Sequence, residues 1–294
     1  MSADASPTHA QHPAPAALRR RDLLLPALLG AAGTPRAEPG RRKRLGLALG
    51  SGSMHGLAHI GVQRALERLQ QPVHAIAGTS AGAIVGALWA AGLDARQVEA
   101  IERSLDWSRS TSWVLPLAGL VRNDGLQRAL DEAVGGRRIE QLPIAFAAVA
   151  TDAANGERIA LTRGPVGASV GASSAIPVLF EPVRIGSRDL VDGSLTAPVP
   201  VDVARELGAT VVVAVDVAYR PGDAPASGLM DRAFQALHIL INALAAEQTR
   251  RADLTLRLAL HQLMRDGDNP AALIAAGDAA LVAAWPRIER LLAA

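Results

Sequence analysis

The most constraining feature of this sequence is a five-residue turn, Gly78-Thr79-Ser80-Ala81-Gly82, which has the form Gly-x-Ser-x-Gly. The apolar run before it, residues 73–77, suits a buried strand, and the small apolar residues 81–90 suit a buried helix. A serine placed between a strand and a helix, with a glycine on each side, is the pattern of a nucleophile elbow. Ser80 is therefore predicted to be a catalytic nucleophile, and Gly78 and Gly82 are predicted to shape its turn.

A second glycine-rich segment, residues 50–56, follows a strand-like run at 45–49 and precedes a helical pattern at 57–69. A strand, a loop of small residues and a helix N-terminus form a nest of backbone N–H groups that binds anions. The nucleotide motifs do not fit, since no Gly-Lys-Ser/Thr ends the loop and the third glycine is one position late for a dinucleotide fingerprint. We therefore expect an oxyanion hole with amides near Gly52 and Ser53. The residues predicted to form it are Gly50, Ser51, Gly52, Ser53, His55 and Gly56.

The rest of the chain alternates between strand-like and helical patterns. Residues 144–151 and 157–162 are β-like and are joined by a good hairpin turn at 153–156, and the apolar run 211–217 is typical of a buried strand. Further elements are predicted as helices at 94–105, 123–134, 201–207, 229–250 and 279–292, and as a last strand at 254–258. This alternation predicts an α/β fold, a layered α/β/α domain with a mainly parallel central sheet.

The two glycine motifs and a third motif, Asp192-Gly193, carry a family resemblance. Together with residues 172–177, and in this order along the chain, they resemble the patatin-like phospholipase family in its compact bacterial form, from about residue 45 to the C-terminus. The resemblance implies a serine acyl hydrolase with a Ser-Asp dyad, in which Asp192 takes the proton of Ser80 and an acyl-enzyme forms. From the residues alone, Asp192 is a turn aspartate after a β-like run.

Two positions depart from the pattern of this family. His55 stands where the family's loop usually has an arginine, and Gly171 replaces a second frequent arginine. The loss of a fixed cation weakens the binding of an oxyanion or of a lipid head group. An alternative function is therefore a weakly active or inactive patatin scaffold that binds lipid or a protein partner.

A second enzymatic alternative is an α/β-hydrolase triad, which needs a histidine late in the chain. After Asp192 the sequence contains only His238 and His261, and His238 lies among apolar residues at helical spacing. The sequence has no cysteine. His55 and His59 are four residues apart but lack the glutamate of a His-Glu-x-x-His zinc motif, so neither a metal nor another cofactor is predicted.

The N-terminal segment has the composition of a targeting leader. Arg19-Arg20-Arg21 precedes a short apolar run, residues 23–33, in an arrangement that resembles a bacterial twin-arginine export signal. We therefore divide the chain into a leader and linker at 1–44 and an acyl hydrolase domain at 45–294, with export to the periplasm expected. The alternative is a basic tail on a cytoplasmic or membrane-associated protein.

Charge and apolar segments limit the expected partners. Of the 30 Lys and Arg residues and 28 Asp and Glu residues, 22 and 25 lie after residue 44, so the predicted domain is slightly acidic and no nucleic-acid partner is expected. The expected partners are a lipid or simple ester substrate and, in transient contact, a membrane surface. An aromatic and apolar stretch that includes Trp107 and Trp113 is interpreted either as a lid or acyl-chain wall, or as core packing under a loop.

Overall fold

A mixed eight-stranded sheet lies at the centre of the computed structural model, which describes residues 43–105, 121–220, 228–264 and 269–294. Nearly all of the predicted leader and the stretch around Trp107 and Trp113 lie outside these residues. The strands are β1 (Leu45–Leu49), β2 (Ala75–Thr79), β3 (Ala145–Asp152), β4 (Arg158–Leu161), β5 (Val183–Ile185), β6 (Arg188–Asp192), β7 (Val211–Asp216) and β8 (Leu254–Arg257).

The middle of the sheet is parallel. Strand β1 pairs in parallel with β2 on one side and with β7 on the other. Strand β2 then pairs in parallel with β3, and β7 pairs in parallel with β8. Strands β4 and β6 pair antiparallel to β3 on its two opposite sides, and β5 pairs antiparallel to β6. Since β1, β2 and β7 run in the same direction, their carboxyl ends meet at one edge of the sheet, which is where the glycine loop and the Ser80 turn begin.

Helices cover both faces of the sheet. They are α1 (Leu57–Arg68), α2 (Ala81–Ala90), α3 (Ala95–Ser104), α4 (Asp124–Ala133), α5 (Val166–Ser173), α6 (Val201–Glu206), α7 (Leu229–Thr249) and α8 (Pro270–Ala293). The leucines of β1 pack with α1, α2 and α8 in the larger core. The smaller Ala48, on the opposite face of β1, packs in a second core with α6 and Ala245 of α7. The predicted layered α/β/α architecture with a mainly parallel central sheet is confirmed.

Two helices differ from the sequence-based expectation at their N-termini. The terminal helix begins at Pro270 rather than at 279, and the Asn269 side chain caps it by accepting a hydrogen bond from the Ala272 amide at 3.0 Å. Asparagine followed by proline is a helix-start signal. Asn123 precedes α4 as predicted, but its side chain makes no capping hydrogen bond and donates instead to the Gly171 carbonyl at 2.8 Å.

Helix α8 is unusually apolar and packs very closely on α1. Among the described helices it is the one that is long and apolar enough to cross a bilayer by length and composition, a test that a core helix also passes. A Cβ atom at Gly277 would lie 1.9 Å from the Ala58 carbonyl oxygen, and one at Gly61 would lie 1.9 Å from that of Ile274. The backbones of the two helices therefore touch, and Asp278 of α8 adds ion pairs with Arg64 and Arg68 at 2.8 and 2.9 Å.

Candidate active site

Ser80 lies at a sharp turn between β2 and α2. Its backbone has φ 55° and ψ −122°, a conformation that residues other than glycine rarely adopt. The flanking glycines are required for close approach, because a Cβ at Gly78 would lie 2.4 Å from the Gly82 carbonyl oxygen, and a Cβ at Gly82 would lie 2.2 Å from that of Leu49. The predicted strand, turn and helix are all present, and the turn has the geometry of a nucleophile elbow.

Side chains from distant parts of the chain hold this turn in place. The Ser80 amide donates to the Ser173 hydroxyl at 3.0 Å, and that hydroxyl donates to the Val149 carbonyl at 2.6 Å. The Thr79 hydroxyl donates to the Ala197 carbonyl at 2.7 Å. The strained backbone of Ser80 is therefore fixed by contacts with α5, β3 and the segment that follows β6.

Asp192 is the last residue of β6 and is almost completely buried, with 1% of its surface exposed. Its carboxylate accepts a hydrogen bond from the Ser194 amide at 2.8 Å, and Asp192 lines the same cavity as Ser80. Burial raises the pKa of this carboxyl above its ordinary value, and the Ser194 amide and the Ser80 side chain partly oppose the shift. The following Gly193 fits tightly, since a Cβ there would lie 2.0 Å from the Val149 carbonyl oxygen.

The glycine loop presents two open backbone donors beside these side chains. The Gly50 amide donates to the Val215 carbonyl and the Ser51 amide to the Pro198 carbonyl, each at 2.9 Å. Within the described residues, by contrast, the amides of Gly52 and Ser53 have no hydrogen-bond acceptor. Both residues line the same cavity as Ser80 and Asp192. The available donors are thus the amides of Gly52 and Ser53, near which the sequence predicts an oxyanion hole.

The two histidines of the loop region have structural contacts. One ring nitrogen of His55, Nδ1, lies 3.1 Å from the Val217 carbonyl, and its ring stacks on Tyr219 with centroids 3.9 Å apart. His59 is fully buried and its Nε2 lies 2.9 Å from the Gly50 carbonyl. Burial lowers the pKa of His59 to about 4, so its ring is neutral near pH 7, and its Nε2–H group donates a hydrogen bond to the Gly50 carbonyl oxygen.

Gly171, the second position where an arginine was expected, lies against α4. A Cβ at this position would be 2.7 Å from Cγ of Gln127, whose amide donates to Asn123 at 2.7 Å. A longer side chain at 171 would therefore have to displace Gln127. Of the two late histidines, His238 lines the cavity of Ser80 and Asp192, while His261 lies in a short 3-10 helix after β8 and lines none of the described cavities.

Two cavities meet at Ser80. Cavity 1 has a volume of about 570 Å³ and is mainly apolar, with polar and charged side chains that include Glu99, Glu102 and Arg103 of α3. Cavity 2 has a volume of about 290 Å³, and Asp192 is one of the residues that line it. The described residues shared by both are Ser53, Ser80, Ile176 and Leu179. A bound ester could therefore place its carbonyl at Ser80 with one substituent in each cavity.

Sequence reasoning identified the motifs at this site but not the residues that hold them. Ser173, Thr79, His59 and Tyr219 were not assigned roles, because their partners are carbonyls or rings from other parts of the chain. The one available signal was the segment 172–177, whose similarity to the family includes Ser173. Nothing in the local sequence around Tyr219 indicates that it stacks on His55.

Comparison with known proteins places these features in a family. Residues 47–205 match the model of the family "Patatin-like phospholipase". An uncharacterised NTE family protein of Mycobacterium tuberculosis H37Rv is 36% identical over 214 residues, which cover 70% of this chain and 53% of the relative. Patatin-like phospholipase domain-containing protein 6 of Mus musculus is 32% identical over 186 residues, which cover 59% of this chain and 13% of that protein.

A more distant likeness is found among solved structures. VipD from Legionella pneumophila superimposes with a TM-score of 0.45 and 16% identity, over 66% of this chain and 52% of that chain. The chain matches about half the length of its mycobacterial relatives. The family match covers more than half of the chain and includes both the glycine loop and the Ser80 turn, with Asp192 inside its bounds. The chain belongs to the patatin-like phospholipase family.

Proposed function

We propose that this protein is a serine acyl hydrolase that cleaves carboxylic esters of lipids with a Ser80–Asp192 dyad. The observation that carries the proposal is the pairing, in one cavity, of a serine on a strained elbow with a buried aspartate whose pKa, raised by burial, is lowered in part by the Ser80 side chain. A carboxylate is a weak base toward a hydroxyl, so such a pair is effective only when it is shielded from water and closely held. Burial of Asp192 meets the first condition, and the Ser194 amide helps to meet the second.

In the proposed reaction, the Ser80 oxygen attacks the ester carbonyl carbon while its proton passes to Asp192. The negative charge that develops on the carbonyl oxygen is stabilised by the amides of Gly52 and Ser53. The tetrahedral intermediate then expels the alcohol, which takes the proton from Asp192, and the acyl group stays on Ser80. Water, deprotonated by Asp192, attacks the acyl-enzyme, releases the fatty acid and restores the serine.

The two cavities support a lipid substrate. Cavity 1 is larger and mainly apolar, so it suits the acyl chain, whereas cavity 2 suits the alcohol part of the ester. Gly171 itself lines neither cavity, and a Cβ at this position would lie against Gln127 of α4.

The dyad is tested by hydrolysis of short p-nitrophenyl esters and by labelling with a fluorophosphonate probe. Ser80→Ala and Asp192→Asn should each lower kcat/KM by about a thousandfold or more, and Ser80→Ala should abolish labelling. Ser169→Ala and Asp152→Asn are matched controls, since both residues are buried and line none of the described cavities. Full activity of either dyad variant would disprove the mechanism.

A conventional triad with His238 is a second candidate, because this residue lines cavity 2 together with Ser80 and Asp192. The His238 ring, however, is stacked with the Tyr219 ring, and their centroids are 5.7 Å apart. The Tyr219 ring is in turn stacked with that of His55. The same assay on His238→Ala separates the two mechanisms. A dyad keeps most of its activity in this variant, whereas a triad loses activity to the same extent as it does in Ser80→Ala.

A further inference from the structure

His59 is a buried polar residue that the proposed reaction does not use. It is the third residue of α1, and none of its surface is exposed. Side chains of a helix lean toward its N-terminus, so His59 reaches back to the glycine loop that precedes α1. Its Nε2 lies 2.9 Å from the Gly50 carbonyl oxygen. His59 lines neither cavity 1 nor cavity 2, so any effect it has on the reaction passes through the loop.

The surroundings of the His59 ring allow only one position for its proton. Within the described residues, Nδ1 is buried and has no hydrogen-bond partner. A proton on Nδ1 would leave a buried donor without an acceptor, and it would also turn the lone pair of Nε2 toward the Gly50 carbonyl oxygen. Burial lowers the pKa of the ring, against the opposing effects of the Gly50 carbonyl and the Asp216 charge. The ring is therefore a neutral, permanent donor to Gly50.

The Gly50 carbonyl belongs to the same planar peptide unit as the Ser51 amide. That amide donates to the Pro198 carbonyl at 2.9 Å, while the carbonyl accepts from His59. The peptide unit is thus held at one end by α1 and at the other end by the segment that follows β6. With both ends held, it cannot rotate about the chain direction without breaking a buried hydrogen bond.

The two open donors of the loop lie directly beyond this fixed peptide unit. They are the amides of Gly52 and Ser53, which have no acceptor within the described residues. On their other side, the Gly52 carbonyl accepts from the His55 amide at 3.0 Å. Successive peptide units are joined through one Cα with two soft dihedrals, so a rotation of the unit before Gly52 changes the direction of both amides.

We propose that His59 is a positioning residue for the oxyanion hole, because its hold on the Gly50 carbonyl keeps the amides of Gly52 and Ser53 directed at the oxygen that becomes negatively charged. This role rests on the proposed acyl hydrolase function. The amides of an oxyanion hole act mainly on the charge that develops in the transition state. Loss of the His59 donor should therefore lower kcat and leave KM nearly unchanged.

Two variants of equal side-chain length test the donor in the full chain, with hydrolysis of p-nitrophenyl butyrate as the assay. Glutamine places an N–H group three bonds beyond Cβ, as histidine does with Nε2, whereas methionine has no donor. His59→Met should lower kcat at least about tenfold with KM within about twofold, and His59→Gln should keep kcat within about threefold of the wild type.

Gln63→Met is the matched control. Gln63 lies one turn further along α1, is fully buried, and donates to the Leu93 carbonyl at 2.8 Å. Leu93 lines neither cavity 1 nor cavity 2. The control thus removes the same kind of buried donor from the same helix without touching the glycine loop, so it should lower Tm but not kcat.

Thermal unfolding separates positioning from support of the fold. Glutamine brings an additional oxygen into a buried space, so His59→Gln should be no more stable than His59→Met and yet the more active of the two. Equal kcat in these two variants, or an equal loss in Gln63→Met, would overturn the proposal. If His59→Met does not fold, folded His59→Gln decides, since a loss of kcat beyond about threefold would also overturn it. Wild-type activity of Ser80→Ala would instead reject the hydrolase mechanism itself.

Discussion

At the scale of single residues, the most informative group is the Asp192 carboxyl, because its surroundings change its affinity for a proton. Burial disfavours the charged form and raises the pKa, and the Ser194 amide and the Ser80 side chain offset only part of this effect. A carboxyl with a raised pKa is a stronger base toward a serine hydroxyl than a solvated aspartate would be. The same burial that costs stability thus favours the proposed reaction.

The raised pKa predicts the acid limb of the pH–rate profile. Asp192 acts as a base only when it is unprotonated, so kcat/KM should increase with pH through the pKa of this carboxyl in the free enzyme. The midpoint of the limb should lie above the ordinary aspartate value of about 4. We expect this result from initial rates between pH 3 and pH 8, with circular dichroism at each pH as the control for unfolding. Full activity down to pH 4 in a folded protein would contradict the assignment.

At the scale of elements, the glycine loop depends on how closely α1 and α8 approach each other. Helix α1 begins at Leu57, directly after the loop, and the Ala58 carbonyl lies against Gly277 of α8. A Cβ at Gly277 would come within 1.9 Å of this carbonyl oxygen. The backbone atoms cannot move away as a flexible side chain would, so any added atom must separate the two helices.

Gly277→Ala tests this dependence. Alanine increases helix propensity by about 1 kcal/mol, but overpacking of a close backbone contact costs about 1–3 kcal/mol, and here the contact is severe. We expect the free energy of unfolding in urea to fall by at least about 1 kcal/mol and kcat/KM to decrease as α1 shifts the loop. Ala283→Ser, at an exposed position of the same helix, should change neither quantity appreciably. A stabilised Gly277→Ala variant would show that the helices separate easily.

Element by element, most of the fold could be predicted from sequence patterns, and the exceptions have physical reasons. Strands β1 and β7 and helices α1 and α7 were predicted nearly to their ends because their apolar periodicity is long and regular. Helix α5, which carries Ser173, was not predicted, since its small residues give almost no periodic signal. The first turns of α8 were missed because the signal of Asn269 and Pro270 was not used.

The site itself was predictable only in part. Contacts between residues close in the sequence could be predicted, and contacts between residues far apart in the sequence could not. The turn at Ser80 and the loop near Gly52 are local motifs, so their conformations are encoded in a few neighbouring residues. The hydrogen bonds from the Ser80 amide to Ser173 and from Thr79 to Ala197 span 93 and 118 residues. No pattern within a short window indicates such pairs. The role of Asp192 could be expected only from the family resemblance, because locally it is an ordinary turn aspartate.

At the scale of the whole molecule, the site is assembled from segments that lie far apart in the chain. Cavity 1 is lined by residues of α1, α2, α3 and α4, by the 176–180 loop and by Pro270 and Ile274 of α8, while cavity 2 lies between the same loop and α7. Ser80 lies where the two cavities meet. In the proposed reaction the acyl chain and the alcohol would therefore occupy separate cavities, and a substitution could change one cavity without the other.

A matched pair of substitutions tests this separation. Leu57 lines cavity 1 and Leu237 lines cavity 2, and both leucines are half-buried, so tryptophan can replace each with limited disturbance of the core. Leu57→Trp should reduce kcat/KM at least about tenfold for long-chain p-nitrophenyl esters relative to the acetate, because the indole fills space that the chain requires. Leu237→Trp should keep the preference for chain length but discriminate against esters of bulky alcohols. If both variants change chain-length preference equally, the cavities do not divide the substrate in this way.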